Sequence, residues 1–234
     1  MVVGGPKADV PAGRKSDKTW SRDAARAPDQ QDELRRVDSC RNVVHAQVRT
    51  MSKVRTSQTH PLQIAEVRAS ESHGRIGITF CPGKQDAGAV TGAWARDLSV
   101  DLDLIAAWGA QMVLTLIESQ ELKSLKVPDL GSSVEARGMA WRHLPIADYS
   151  IPGAGFETAW ESAGREIRAL LREGGNVLVH CKGGLGRAGM IAARLLVELG
   201  MPPKEAVRTV RRARKGAIET PSQLALVLGT TPIP

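Results

Sequence analysis

Apolar positions cluster in short runs from residue 63 onward and are isolated before it. Val177, Leu178 and Val179 form an unbroken apolar run that suits a strand covered on both faces, and 112–117 reads the same way. Residues 63–67 and 75–80 read as two strands joined by the polar turn 70–74, the second ended by Cys81-Pro82-Gly83. A further strand is expected over 139–146, leading into a loop over 147–155. Helical spacing appears in Leu98, Leu102, Ile105 and Ala106, with Gly109 as the stop. Short helices are expected around Leu122 and Leu125 and over 129–136, and a long amphipathic helix over 156–171. The segment from Met190 to Leu199 is almost wholly apolar and reads as a buried helix closed by Gly200. Pro202-Pro203 opens a helix with Ala206, Val207, Val210 and Ala213 facing inward. Thr220-Pro221-Ser222-Gln223 is a capping box that opens the last helix, over 222–228. Strands alternating with helices predict an α/β fold, a mostly parallel central sheet flanked by helices.

Residues 1–59 are dominated by polar, charged, Gly and Pro residues and bury too little apolar surface to offset their ordering entropy. They are expected to be a disordered extension, with 60–234 as the folded domain and Met51 as a possible internal start. The hydrophobic fraction of 42% supports a sizeable core. A net charge of +7 suits acidic or phosphorylated partners without selecting one. Arg208, Arg211, Arg212, Arg214 and Lys215 crowd one helix, which is ordinarily a solvated face. Charge alone, with no recognition motif, does not make a nucleic-acid-binding protein. No apolar run approaches the roughly 20 residues that span a bilayer. Cys40, Cys81 and Cys181 show no metal or redox spacing and read as reduced thiols of a cytoplasmic, monomeric protein. Cys81 is expected to be a structural thiol.

The chemistry concentrates in His180-Cys181-Lys182-Gly183-Gly184-Leu185-Gly186-Arg187, which lies between the apolar strand and the apolar helix. Glycines let successive backbone N–H groups turn inward as an anion nest. The helix N-terminus adds unpaired N–H groups and a positive dipole end. Arg187 brings a planar fork that matches two phosphate oxygens. Cys181 stands at the loop mouth, where that field favours the thiolate, a nucleophile aimed at phosphorus. A buried cysteine in a glycine turn would be the bland alternative, but it leaves Arg187 unexplained.

Cys-x5-Arg preceded by His resembles the protein tyrosine phosphatase superfamily. Together with His143-Leu144-Pro145-Ile146-Ala147-Asp148 and Gly216-Ala217-Ile218-Glu219-Thr220 it is similar to the kinase-associated (cyclin-dependent kinase inhibitor 3) branch of the dual-specificity phosphatases. The resemblance runs from about residue 76 to the C-terminus and implies hydrolysis of phosphotyrosine, phosphoserine or phosphothreonine in proteins, without metal or other cofactor. It implies Cys181 as nucleophile, Asp148 as general acid and then base, and Arg187 with the amides of Lys182, Gly183, Gly184, Leu185, Gly186 and Arg187 as the phosphate cradle. It implies His180 as a support that orients the loop and favours the thiolate. The sequence departs from the family at Ala188, where most relatives carry Ser or Thr. That departure is the basis of one rival reading, a catalytically weak phosphate-recognition module. Lys182 is the basis of another, a phosphoinositide phosphatase, weakened by Leu185 where those enzymes carry a second basic residue.

Overall fold

The structure is a computed structural model and describes residues 54–89 and 92–234. The expected disorder of the extension and the start at Met51 lie outside the described residues.

In chain order the elements are β1 (Ala65–Val67), β2 (Ile76–Phe80), β3 (Gln85–Asp86), β4 (Trp94–Ala95), α1 (Leu98–Ala107), β5 (Ala110–Thr115), α2 (Ser119–Ser124), α3 (Leu130–Glu135), β6 (Ala140–His143), α4 (Ala154–Arg172), β7 (Asn176–Cys181), α5 (Gly186–Glu198), α6 (Pro203–Ala213) and α7 (Pro221–Gly229). The main sheet has the order β1-β2-β7-β5-β6. Four strands are parallel, and β1 is an antiparallel edge. The mostly parallel α/β architecture read from the sequence is therefore the one present. β7 is the middle strand, and Val177, Leu178 and Val179 are fully buried. An unbroken apolar run is what a strand with two covered faces requires.

The helix after β7 is buried almost throughout, because β2, β7, α6 and α7 all pack against it. It starts at Gly186, so its first-turn amides, which have no partner within the helix, lie at the C-terminal end of the central strand. Gly200 ends it with φ of 106°, the left-handed turn that glycine adopts at little cost. Glu198 on α5 is a buried hub that accepts from Trp160 Nε1 at 2.9 Å, Arg168 Nη1 at 2.6 Å and Arg194 Nε at 2.8 Å, tying α4 to α5. Three donors on one carboxylate satisfy a charge that would be costly to bury alone.

The strand expected over 139–146 is regular only over Ala140–His143. Its continuation still bonds sideways, Leu144 N to Thr115 O and Ile146 N to Leu116 O, both at 3.0 Å. The small sheet β3–β4 was not anticipated, since two-residue strands carry no periodicity. It is fixed from within. Arg96 Nε and Nη2 both donate to the Asp101 carboxylate at 2.7 Å, Arg96 Nη1 donates to His60 O, and Asp101 accepts the Gly83 amide at 2.8 Å. Gly83 has φ of 69°, and a Cβ there would stand 2.6 Å from that of Leu98.

The folded domain also begins earlier than residue 60. Arg55 pairs with β4 through Arg55 N to Ala93 O at 2.9 Å and Ala95 N to Arg55 O at 3.0 Å. Ser57 is buried and exchanges hydrogen bonds with the Asp97 backbone. Polar composition concealed this segment because its contribution is backbone pairing rather than apolar burial.

Candidate active site

Cys181 ends β7, is 3% exposed, and lies at the foot of a pocket of about 300 Å³. The Gly184 amide donates to its sulfur at 3.2 Å. Of the loop glycines only Gly184 requires a left-handed backbone, with φ of 70°, and a Cβ on it would meet the backbone of Thr79 at 2.4 Å. Gly186 is needed for room instead, since a Cβ there would stand 2.4 Å from Glu219 Oε2, whereas Gly183 faces open space. The three glycines thus do different work: one bends the chain, one admits a neighbour, and one leaves the pocket open.

Arg187 opens α5 and is 2% exposed. Its two terminal nitrogens donate to Glu121 Oε2 and Oε1 at 2.6 and 2.9 Å, and Nη1 also donates to Ile146 O at 3.0 Å. Burial works against the Arg187 charge, but the hydrogen bonds it donates to Glu121 and the nearby negative groups outweigh it and raise the guanidinium further. Burial likewise pushes the Glu121 carboxyl up, and Arg187 more than compensates, so the net direction is down. With a folded value below the unfolded one, this clamp is complete above the ordinary carboxylate range and is lost only as pH falls through the depressed Glu121 value. Glu121 was missed in the sequence because a lone carboxylate on a short helix carries no pattern that points to Arg187. In the structure it closes a helix capping box, with Glu118 N donating to Oε2 at 2.9 Å, and it orients the arginine as well.

Asp148 stands at the pocket mouth with its side chain 53% exposed, and Oδ1 lies 2.8 Å from Arg187 Nη2. The next residue, Tyr149, has φ of 54° and donates its amide to Asp148 Oδ1 at 3.1 Å. This loop is held from the far end of the chain, because buried Gln223 on α7 donates to Ser150 O at 3.2 Å. Gln223 also accepts the Glu219 amide at 3.0 Å, while Ile218 N bonds to Leu185 O at 3.3 Å. The three sequence stretches that carry the family resemblance thus converge on one pocket.

His180 is fully buried, and its Nε2 lies 2.8 Å from Thr115 Oγ1. Trp141 Nε1 donates to the same hydroxyl oxygen at 2.9 Å, so the hydroxyl links the His180 ring to β6. Nδ1 has no hydrogen-bond partner, although the adjacent Cys181 backbone slightly favours the charged ring. Burial dominates and pulls His180 down to about 3, so the ring is neutral at physiological pH. It orients the strand end, but not as a cation. Because the unfolded chain binds a proton near 6.5, the fold loses stability as pH drops below that value.

Lys182 projects to the rim, 45% exposed, with Nζ 3.8 Å from Asp86 Oδ2. Lys84, absent from the sequence reading, also lines the pocket. It is 5% exposed, with its ammonium 4.4 Å from the Trp94 ring centroid and 5.0 Å from that of Phe80. Burial pulls its pKa down. Arg214 is a second unanticipated residue. Its Nε donates to Gly184 O at 3.1 Å and its Nη2 to Gly183 O at 3.3 Å, so one of the helix arginines read as solvated grips the loop from behind. Cys81 is buried, donates its thiol to Pro82 O, and is pushed well up by burial, as befits a structural thiol. Ala188 is fully buried. Among the described residues, the donor to the Cys181 sulfur is the Gly184 amide.

A family model described as polymorphic toxin system, DSP-PTPase phosphatase, matches residues 88–201. Human cyclin-dependent kinase inhibitor 3 is 30% identical over 165 residues, covering 69% of this chain and 73% of that protein. Human protein tyrosine phosphatase type IVA 3 is 45% identical over 158 residues, covering 67% of this chain and 79% of the relative. The chain belongs to the dual-specificity phosphatases. Within this family it is similar to the kinase-associated branch. The solved structure of kinase-associated phosphatase with its catalytic-site cysteine replaced by serine superposes with a TM-score of 0.63 at 26% identity, covering 72% of this chain and 93% of that one. The rat cyclin-dependent kinase inhibitor 3 is 33% identical over 131 residues, which span 55% of this chain and 60% of the relative. The match to that relative therefore leaves out about two fifths of its length. Among the described residues, no helix is long and apolar enough to cross a membrane.

Proposed function

We propose that the chain is a cysteine-dependent phosphatase acting on phosphotyrosine, phosphoserine or phosphothreonine of proteins, working in the cytoplasm as a monomer without a cofactor. The observation that carries this reading is the convergence of the Cys181 sulfur, the doubly clamped Arg187 fork and the Asp148 carboxyl on one pocket. In the first step the Cys181 thiolate attacks phosphorus, the bond from phosphorus to the leaving oxygen breaks, and Asp148 delivers its proton to that oxygen. In the second step the Asp148 carboxylate takes a proton from water. The water oxygen attacks phosphorus, and the phosphorus–sulfur bond breaks to return the thiolate and free phosphate. Arg187 and the loop amides from Lys182 to Arg187 hold the equatorial oxygens, on which the transition-state charge rests. A bound phosphoryl group takes over the Arg187 face that Asp148 occupies here, freeing the carboxyl to protonate the leaving group.

Asp148→Asn is expected to lower kcat on phosphotyrosine by about two to three powers of ten. It is also expected to flatten the alkaline limb of the pH profile, because only a protonated carboxyl donates. An unaltered limb would place the acid elsewhere.

The direct test of the reading is rapid mixing with p-nitrophenyl phosphate followed by acid quench. Nitrophenol release and a phosphorylated peptide containing Cys181 are expected, and the absence of both would overturn it. Ala188 adds a kinetic signature. Without a hydroxyl to stabilise the departing sulfur, the second step loses a hydrogen bond to a charged group, worth about 1.5–3 kcal/mol or roughly one to two powers of ten in rate. The release should therefore show a burst near one per active site. Ala188→Ser is expected to raise the steady-state rate and shrink the burst, and no change in either would mean that breakdown of the phosphoenzyme is not limiting.

A further inference from the structure

Arg214 lies at the end of α6, outside the loop and outside the pocket, yet its guanidinium makes two hydrogen bonds to the loop backbone. The identity of the two carbonyls matters. Gly183 O belongs to the peptide unit whose N–H is that of Gly184, the amide that donates to the Cys181 sulfur at 3.2 Å. Gly184 O belongs to the next unit, whose N–H is that of Leu185, inside the anion cradle. We propose that Arg214 is a positioning residue that acts on the nucleophile through the peptide group: guanidinium to carbonyl, carbonyl to amide, amide to sulfur. A cation bound at a carbonyl polarises the peptide and strengthens the hydrogen bond its N–H donates, as hydrogen-bond chains generally do.

The same contacts fix the loop's orientation. A carbonyl held from outside keeps its own N–H turned inward, so the two amides need no reorganisation when a phosphoryl group arrives. Burial lowers the Arg214 pKa, but a guanidinium remains protonated throughout the working range. The other titratable and charged groups facing this region are Arg187, Glu121, Asp148, Glu219 and the Lys182–Asp86 pair on the pocket side, and Lys84, Cys81 and Asp101 from the β2 side. Lys84 Nζ also donates to a loop carbonyl, that of Lys182 at 3.5 Å, but the carbonyl that Arg214 holds at Gly183 shares its peptide unit with the amide on the sulfur, and Arg214 adds its direct attraction for Cys181. Its neighbour Arg212 is on the same helix and exposed, so it supplies equal charge without the relay.

This inference rests on the phosphatase reading for its meaning but not for its test. The probe is the pH dependence of Cys181 alkylation by iodoacetamide, followed by mass spectrometry, together with competition by inorganic phosphate. Arg214→Met is expected to move the alkylation midpoint up by about half a unit to one unit and to weaken phosphate protection several-fold. Arg214→Lys keeps the charge but reaches fewer carbonyls, so an intermediate shift is expected, and it serves as the readout if the methionine variant is unfolded by circular dichroism. Arg212→Met should leave both measurements at wild-type values. Unchanged alkylation and phosphate protection in Arg214→Lys and Arg214→Met would overturn the relay. An equal shift in Arg212→Met would overturn it too, by showing a plain charge effect. Failure of the wild type to hydrolyse p-nitrophenyl phosphate would count against the phosphatase reading and leave these measurements intact.

Discussion

Cys181→Ser is expected to reduce hydrolysis of p-nitrophenyl phosphate by at least about four powers of ten, with the fold retained. Sulfur and oxygen differ little in size here, and the Gly184 amide remains as a donor to either atom. What changes is reactivity. A serine hydroxyl is a weak nucleophile near neutrality unless an adjacent base removes its proton, and among the described residues no basic side chain is hydrogen-bonded to the Cys181 sulfur. His180 is neutral, but its ring is committed to Thr115 and the strand interior, and Asp148 stands at the mouth, where we propose it serves as the acid for the leaving group. The variant should still bind phosphate, because the cradle is untouched. Initial-rate assays with equilibrium phosphate binding check both halves. Activity within tenfold of wild type would show that Cys181 is not the nucleophile.

Arg187→Lys is expected to lower kcat by about two to four powers of ten, even though charge is conserved. The loss is geometric. A guanidinium presents two parallel donors to the equatorial oxygens, while an ammonium presents a single point, and two charge-assisted hydrogen bonds at about 1.5–3 kcal/mol each set the range. The supporting structure makes the substitution worse. Glu121 grips both terminal nitrogens and Ile146 O receives one of them, so a lysine satisfies only part of a site built for a fork. Steady-state kinetics with thermal unfolding separate the effects. A kcat within threefold of wild type would mean that Arg187 holds the loop without touching the transition state.

Much of the fold and of the Cys181 loop was legible because burial leaves a local record. Val177, Leu178 and Val179 announce a central strand, the apolar residues after Arg187 announce a helix enclosed by its neighbours, and the glycines and arginine between them announce an anion site. The two-residue strands β3 and β4 left no such record, nor did the pairing of Arg55, since backbone hydrogen bonds place little demand on side-chain type. Trp94 and Phe80 enclose Lys84 only after that hairpin folds, so an ordinary surface-type lysine becomes a buried pocket wall.

The sequence by itself determined the order of elements, the cysteine loop and the arginine six positions beyond Cys181, because each is set by a continuous stretch of chain. Tertiary structure alone decided which distant groups complete that site. Glu121 clamps Arg187 across 66 positions, Gln223 holds the loop of Asp148 across 73 from Ser150, and Arg214 reaches the carbonyls of Gly183 and Gly184 from the end of another helix. The physical reason is range: helical and strand periodicity are fixed by neighbours along the chain, whereas a hydrogen bond needs two groups within about 3 Å in space, and no local pattern records which they will be.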